Sequence, residues 1–329
     1  MTRLITNPDA ARRAPPRIQP HPEHYVADPA LARAVDVALT LGMPLLVTGE
    51  PGTGKTQLAY RLAWELGVEP LRFDTKSTSV ASDLFYQFDS VRHYSASQLA
   101  AVSHKRLPRA QDAITYVALG LAVLRSRSWS ANENLVSPTQ AMALRGHEPS
   151  RSVVLIDEVD KASRDFPNDL LNQLEDFAFD APEIGRWKVG AAPHLRPIVV
   201  ITSNSERQLP EAFLRRCVYH HIELPKDAAR RRAWVDEILA QHFAGTAVAA
   251  AAGSPAEQQA TAFYWEMRDR PELLKKPSTS ELIEWLRALH NARIDWQRAL
   301  QAQADKVRGT LGALLKTSDD LSRGQARWS

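Results

Sequence analysis

The chain has 329 residues, of which 44% are hydrophobic and 24% are charged, a composition typical of a globular protein with room for two domains. Its net charge of +3 is small for this length, so the composition does not indicate a nucleic-acid-binding protein. The single cysteine, Cys217, excludes an intrachain disulfide, and no apolar run is long enough to span a bilayer or to act as a signal core. We therefore expect a cytoplasmic protein without a membrane partner.

Strand and helix patterns alternate along the first two thirds of the chain. Residues 1–24, which are rich in proline, arginine and alanine, are predicted to form a flexible arm. The alternation that follows is typical of a parallel sheet with helices on both faces. In chain order we predict helices at residues 31–41, 58–66 and 166–177, strands at residues 44–48, 71–74, 152–156, 198–202 and 218–222, and a hairpin at residues 187–196.

The pattern changes after Pro225, where helices dominate to the end of the chain. We therefore predict an α/β core at residues 25–225, followed by a small all-helical lid domain at residues 226–329. Within the core, residues 77–150 form a long mixed segment with helical patterning near residues 110–124.

An octapeptide that follows the first predicted strand has the pattern G-x-x-x-x-G-K-[ST] of phosphate-binding loops. Glycines allow the backbone amides to converge on a phosphate, and the dipole of the following helix favours an anion there. Lys55 would bring a cation to the β- and γ-phosphates of a nucleotide, and Thr56 would offer a hydroxyl to Mg²⁺. The alternative, a plain glycine-rich turn, is disfavoured by the intact Lys-Thr pair and the flanking elements. The octapeptide consists of Gly49, Glu50, Pro51, Gly52, Thr53, Gly54, Lys55 and Thr56.

Two acids, Asp157 and Glu158, come directly after a run of four apolar residues. This places both carboxylates at the carboxyl end of a buried strand, where open α/β sheets bind ligands. Asp157 would hold the hydration shell of Mg²⁺, and Glu158 would polarise an attacking water. A strand that merely ends at the surface is the alternative, and the phosphate-loop pattern upstream argues against it.

Two further polar sites follow later strands. Asn204 ends the strand predicted at residues 198–202 and would donate to the γ-phosphate or orient the lytic water, although a turn-forming asparagine is the alternative. Arg215 and Arg216 end a short helix that begins at Glu211. A guanidinium there would neutralise transition-state charge at the nucleotide of a neighbouring subunit, and we favour Arg216 with Arg215 as the substitute. A helix end that merely favours cations is the alternative for one of them.

The order of these motifs resembles that of AAA+ ATPases, and within that class the chain resembles the MoxR branch over about residues 25–315. The branch resemblance rests on the segments at residues 156–161, 166–176, 202–207 and 209–216. It implies a five-stranded parallel P-loop core with a helical lid, ATP and Mg²⁺ as ligands, and rings, usually hexamers, in which the arginine acts on the next subunit. MoxR-like proteins are chaperones that remodel protein partners, often ones with a von Willebrand A domain.

Two segments of the core correspond to inserts of MoxR relatives. MoxR relatives carry an inserted element where this chain has residues 77–150, and a hairpin where it has residues 183–197. The resemblance implies that both segments contact a partner. The alternative function is a motor subunit of a nucleic-acid-processing complex, of the restriction or clamp-loader type. That function predicts a dense basic stripe or a DNA-binding motif, which the sequence lacks.

One position departs from the family pattern. AAA+ proteins often carry an arginine at the start of a lid helix that senses the γ-phosphate, and Thr279 occupies that place here. Lys275, Lys276 or Arg287 would have to substitute, while Ser278 or Ser280 is well suited to cap the helix. We therefore expect lid closure to depend less on contact with the γ-phosphate.

Overall fold

The computed structural model describes residues 21–104, 106–204, 209–246 and 248–328. The predicted arm at residues 1–24 lies outside these residues except for its last four, and so does the end of the motif at residues 202–207. Within the described ranges the strands are β1 (Leu45–Gly49), β2 (Leu71–Asp74), β3 (Tyr86–Phe88), β4 (Ile114–Tyr116), β5 (Val153–Asp157), β6 (Ala178–Ala181), β7 (Arg186–Gly190), β8 (Ile198–Ser203) and β9 (Val218–Ile222).

The α-helices of the same ranges lie mostly on the two faces of the main sheet and in the C-terminal third. They are α1 (Pro29–Leu41), α2 (Lys55–Glu65), α3 (Ser90–Val102), α4 (Ala118–Arg125), α5 (Trp129–Asn132), α6 (Pro138–Leu144), α7 (Phe166–Asp176), α8 (Glu211–Leu214), α9 (Ala228–Phe243), α10 (Pro255–Asp269), α11 (Thr279–Asn291), α12 (Ala304–Thr310) and α13 (Ser318–Ala326).

Five strands form one parallel sheet in the order β2-β5-β8-β1-β9, which confirms the predicted fold class. Every residue of β1, β5 and β8 is buried, as expected for central strands covered on both faces. Successive residues point to opposite faces. Thus Val153 and Leu155 share a hydrophobic cluster with α1 and α2, whereas Val154 and Ile156 pack with α4 and α7.

The segment at residues 77–150 differs from its predicted helical pattern. The patterning near residues 110–124 is wrong in its first half, where Ala110–Ala113 is a 3₁₀ turn and β4 pairs antiparallel with β3. The helix begins only at Ala118. The apolar residues of β4 cover the same hydrophobic cluster as α4, so tertiary packing decides between strand and helix at this short apolar run.

The hairpin also begins earlier than predicted. β6 and β7 pair antiparallel around a turn at Pro182–Gly185, where Gly185 has a φ of +63°. Residues 193–195 form a 3₁₀ turn that starts at Pro193 rather than a strand. The prediction at residues 187–196 placed the hairpin too far along the chain, because Gly185 supplies the left-handed backbone conformation that the turn requires.

Helices α9 to α13 have a hydrophobic cluster of their own. Tyr264 and Trp285 are fully buried in it, and Phe263 packs between Trp285 and Trp328 with ring centroids 5.5 and 5.2 Å apart. Aromatic side chains of this size supply much of the apolar area that a small helical domain can bury. The domain bounds at residues 225 and 226 stay a prediction.

Candidate active site

A cavity of about 910 Å³ lies between the carboxyl edge of the main sheet and the C-terminal helices. Its volume is in the range of small-molecule sites. Residues of both parts of the chain line it, so a ligand there would contact the sheet and the helices together. They include Tyr25, Pro51, Gly52, Thr53, Gly54, Lys55, Thr56, Arg72, Asp157, Glu158, Thr202, Asn204, Trp234, His242, Thr279, Ile283 and Arg287.

The loop at residues 49–56 has the backbone conformation that its glycines allow. Gly52 and Gly54 have φ angles of +78° and +88°, and helix α2 starts at the next residue, Lys55. Gly49 is required for a different reason: a Cβ there would lie 2.7 Å from the carbonyl oxygen of Ile222 on the neighbouring strand β9. The loop therefore presents the N-terminal end of α2 to the cavity, an arrangement that binds anions.

The Lys55 side chain is buried beneath this loop. Its ammonium donates to the carbonyl oxygens of Gly49 at 2.8 Å and Glu50 at 2.9 Å. Burial lowers the pKa of Lys55, and the nearby carboxylates, Asp160 first among them, oppose that shift. A buried ammonium that donates to two loop carbonyl oxygens at the base of the phosphate-binding loop is well placed to receive an anion.

Asp157 accepts hydrogen bonds from two threonine hydroxyls. Thr56 Oγ1 lies 3.0 Å from Oδ1 of Asp157, and Thr202 Oγ1 lies 2.6 Å from the same oxygen. Asp157 itself is buried at the end of β5. A carboxylate and a hydroxyl in contact at the cavity wall form the kind of all-oxygen site that fits a hard cation such as Mg²⁺.

Glu158 lies just past β5 with a left-handed φ of +57°. Its backbone N–H donates to Thr202 Oγ1 at 2.8 Å, and its carboxylate pairs with the Lys161 ammonium. The Asn204 amide reaches Glu158 Oε1 at 3.4 Å, and its backbone N–H donates to Asp160 at 3.0 Å. The structure therefore brings Glu158 and Asn204 together at the cavity.

The two arginines lie elsewhere. Among the described residues that line the cavity, Arg215 and Arg216 do not appear. Arg216 is 48% exposed and pairs with Glu175 at 3.4 Å, whereas Arg215 is 75% exposed and pairs with Glu211 in the turn of α8. Both guanidiniums thus face solvent on the outside of the chain.

Arg72 is a cavity residue that sequence reasoning missed. Its guanidinium lies 2.9 Å from Oδ2 of Asp157 and 2.6 Å from Asp74. Burial alone would lower the pKa of Arg72, but hydrogen bonds with Tyr60 and Asp74 and the charge of Asp157 raise it. The only signal was indirect: β2 pairs with β5, so an arginine on β2 lies beside the acids that end β5.

The structure shows where the residue at the position of the expected arginine, and two of its possible substitutes, lie. Thr279 is buried at the first position of α11 and lines the cavity, while Ser278 caps the helix in a capping box with Glu281. Arg287 also lines the cavity and pairs with Glu284 at 2.8 Å. Lys275 instead pairs with Glu281 at 3.5 Å.

The sequence profile of the AAA family, described as the ATPase family associated with various cellular activities, matches residues 45–226, which is more than half of the chain. The chain belongs to the AAA ATPase family. Membership makes it an ATP hydrolase, and the matched residues include the phosphate loop, Asp157, Glu158, Asn204 and both arginines. No curated protein matches the chain.

Mutants of RuvB are among the solved structures that match this AAA ATPase, at low sequence identity. One mutant of RuvB from Thermotoga maritima is 13% identical with a TM-score of 0.45, over 94% of this chain and 72% of that one. A second RuvB mutant is 14% identical with a TM-score of 0.39, over 89% of this chain and 79% of the other. In the described part of the chain, no helix has the length and apolar content needed to cross a membrane.

Proposed function

We propose that this AAA ATPase is MoxR-like and forms a ring of six subunits, as is usual for that branch. The ring would couple ATP hydrolysis to remodelling or activation of a protein partner. One observation supports a ring. The cavity of one chain is lined by the phosphate loop, Asp157, Glu158 and Asn204, but Arg216 of the same chain lies on the outer surface. A neighbouring copy can then bring the missing cation.

Within one subunit, Lys55 and the amides of residues 52–56 bind the phosphates. Thr56 and Asp157 would hold Mg²⁺, which neutralises charge on the β- and γ-phosphates when it is bound. Their 3.0 Å contact supports this assignment. Glu158 orients and polarises the attacking water, and Asn204 holds it beside the γ-phosphate. Lys161 pairs with the Glu158 carboxylate and holds it in place until water and nucleotide are positioned.

Arg216 would act on the nucleotide of the next subunit, and Arg215 is the second candidate for the same role. Its partner Glu175 is itself exposed, so exchanging that ion pair for a contact with phosphate costs little. A guanidinium supplied by a neighbour is typically worth about three to five orders of magnitude in turnover. The ring is therefore required for hydrolysis rather than for nucleotide binding.

Mixing two inactive variants tests this arrangement. Glu158→Gln removes the water-polarising carboxylate, and Arg216→Ala removes the cation offered to the neighbour. In a mixed ring, some sites combine the intact Glu158 of one chain with the intact Arg216 of the next, so we expect ATPase activity to return. Arg215→Ala is the matched control and should retain activity alone. A mixture that stays inactive although mixed rings form would refute the shared site.

Exposed apolar side chains on the two inserts support a protein partner. Trp187 lies exposed in the β6–β7 hairpin, and Val91, Tyr94 and Val102 lie exposed on α3. Large apolar side chains in the open are typical of protein interaction sites. The partner we propose is a protein with a von Willebrand A domain. Affinity purification that recovers such a protein only with wild-type hairpin, and not with Trp187→Ser, would support it.

A nucleic-acid client makes a different prediction. A motor of the restriction or clamp-loader type would show ATPase activity that rises strongly with single-stranded or duplex DNA and falls with salt. We expect no such stimulation. Strong, salt-sensitive stimulation would contradict the protein-remodelling function, while leaving ATP hydrolysis itself intact.

A further inference from the structure

A buried arginine of the helical domain contacts the phosphate loop. Arg268, near the end of α10, is only 6% exposed, and its guanidinium donates to the carbonyl oxygen of Pro277 at 2.5 Å and pairs with the Glu50 carboxylate. Glu50 is the second residue of the phosphate loop, and its own carbonyl oxygen accepts from Lys55 at 2.9 Å. One ion pair therefore joins two parts of the chain that are 218 residues apart.

The start of α11 contacts the same loop at a second point. A Cβ on Gly52 would lie 2.4 Å from the Ser280 hydroxyl and 2.7 Å from that of Ser278. The two serine hydroxyls are 3.0 Å apart, and Ser278 also caps α11. Since Pro277 comes directly before this cap, Arg268 holds the end of α11 that rests on the loop.

Arg287 is too far along α11 to replace the contact that Arg268 makes with the phosphate loop. Arg287 lies eight residues beyond Thr279, so it is about 12 Å further along α11 and away from the end that rests on the phosphate loop. Thr279, at that end, is uncharged. The cation that the helical domain does bring to the loop is Arg268, and it is bound by the protein's own carboxylate.

We propose that Arg268 and Glu50 form a latch, an ion pair that fastens the helical domain to the phosphate loop and slows nucleotide release. Arg268 is a positioning residue, because it holds α11 against the loop and is not among the described residues that line the cavity. The latch does not involve the γ-phosphate, so it retains ADP and ATP alike. It goes beyond the proposed ring and client, since it acts within one chain.

The direction in which loss of the Glu50 charge changes the rate of nucleotide release distinguishes the latch from a simple effect of charge. Glu50 places a negative charge in the loop that binds phosphates, so its removal by charge alone would tighten nucleotide binding and slow release. Opening the latch has the opposite effect. Arg268 loses its carboxylate partner while it stays buried, which weakens the contact between the domain and the loop. Because Glu50 is 60% exposed and screened, we expect release to rise about tenfold rather than more.

The test measures release of a fluorescent ADP, and of a fluorescent non-hydrolysable ATP analogue, from the full chain by chase with unlabelled nucleotide. Glu50→Gln and Arg268→Gln should each speed release of both nucleotides about tenfold, and the double variant should match the single ones because both changes break one contact. Glu266→Gln is the matched control: Glu266 lies on the same helix as Arg268 but pairs with Arg270 and Arg327, and it does not line the cavity, so release should not change.

Three results would overturn the latch: release from Glu50→Gln that is unchanged or slower, acceleration confined to the ATP analogue, or additive effects in the double variant. If Arg268→Gln does not fold, Glu50→Gln alone decides, since Glu50 lies at the surface. A chain that fails to remodel any protein but shows these release rates would count against the proposed client and not against the latch.

Discussion

The Thr202 hydroxyl donates a hydrogen bond of 2.6 Å to Oδ1 of Asp157, so strand β8 is tied to strand β5 at the edge where both meet the cavity. The same hydroxyl accepts the backbone N–H of Glu158 at 2.8 Å. One fully buried side chain thus sets the position of the proposed metal-binding carboxylate and of the residue that would polarise water. Neither contact would survive a slip of one strand against the other.

Replacing this hydroxyl tests its importance. Thr202→Val keeps the shape of the side chain but removes the donor to Asp157 and the acceptor for Glu158. We expect the free energy of unfolding to fall by about 1–3 kcal/mol, the cost of unsatisfied buried polar groups, and ATP turnover to fall about tenfold because both acids lose their support. Denaturant unfolding and steady-state ATPase assays measure the two effects. Thr202→Ser should behave as wild type, and wild-type turnover in Thr202→Val would contradict the role.

The local parts of the site are predictable from sequence, because each depends on residues close in the chain. The phosphate loop lies where its glycines predict it, and Asp157 and Glu158 lie at the end of an apolar run. The hydrogen bond between Thr202 and Asp157 follows only once β5 and β8 are known to be neighbours. That order depends on packing of the whole sheet, which no local pattern encodes.

Contacts between residues far apart in the chain could not be predicted from the sequence for the same reason. Arg72 meets Asp157 because β2 pairs with β5, and Arg268 meets Glu50 because helix α10 packs near the phosphate loop. Both arginines look like ordinary surface residues of a strand or helix in the sequence. The position of the hairpin was predicted wrongly even over a short stretch, because Gly185, Gly190 and Pro193 lie within nine residues and the turn falls at Gly185, which has the required φ.

Arg72 should compete with a metal ion at the proposed site on Asp157. Its guanidinium lies 2.9 Å from Oδ2 and repels a divalent cation beside the same carboxylate. We expect Arg72→Gln to lower the Mg²⁺ concentration that half-saturates nucleotide binding several-fold, and Arg72→Lys, which keeps the charge, to change it little. Titration of Mg²⁺ against a fluorescent nucleotide measures this. A higher Mg²⁺ requirement in Arg72→Gln would mean that Arg72 supports the metal site instead.

An arginine at Thr279 should restore sensitivity to the γ-phosphate. Thr279 lines the cavity at the end of α11 that contacts the phosphate loop, so a guanidinium there can reach the phosphates. We expect Thr279→Arg to raise the preference for ATP over ADP several-fold, and the uncharged Thr279→Met to leave it unchanged. Competition binding of the two nucleotides measures the preference. Unchanged discrimination and turnover in Thr279→Arg would contradict the idea that lid closure here depends little on that contact.

Gly120 should be indispensable to the packing of the inserted segment. A Cβ at this position of α4 would lie 1.9 Å from the carbonyl oxygen of Phe85, a backbone atom that accepts the N–H of Val117 and has little room to move. We expect Gly120→Ala to lower the free energy of unfolding by about 3 kcal/mol or more, as for other overpacked sites. Gly309→Ala, in α12 where the added atom meets nothing within 4 Å, is the control and should stabilise by about 0.5–1 kcal/mol. Equal effects of the two substitutions in denaturant unfolding would be inconsistent with this packing.

His242 should make stability depend on pH. It lies in the last turn of α9 at the cavity wall, with Nε2 buried and without a hydrogen-bond partner in the described structure. Burial first, and the charge of Arg287 second, lower the pKa of His242 below its usual 6.5, while Glu284 opposes the shift.

The unfolded chain therefore binds a proton at His242 more readily than the folded chain does. This histidine costs no stability well above pH 6.5; the penalty grows as pH falls from 6.5 towards the lowered pKa, and it is constant below that. His242→Gln cannot take up the proton, so we expect its free energy of unfolding to rise relative to wild type as pH falls below 6.5. Denaturant unfolding of both proteins from pH 8 to pH 5 measures the difference. A difference that does not change with pH would show that burial of His242 carries no proton linkage.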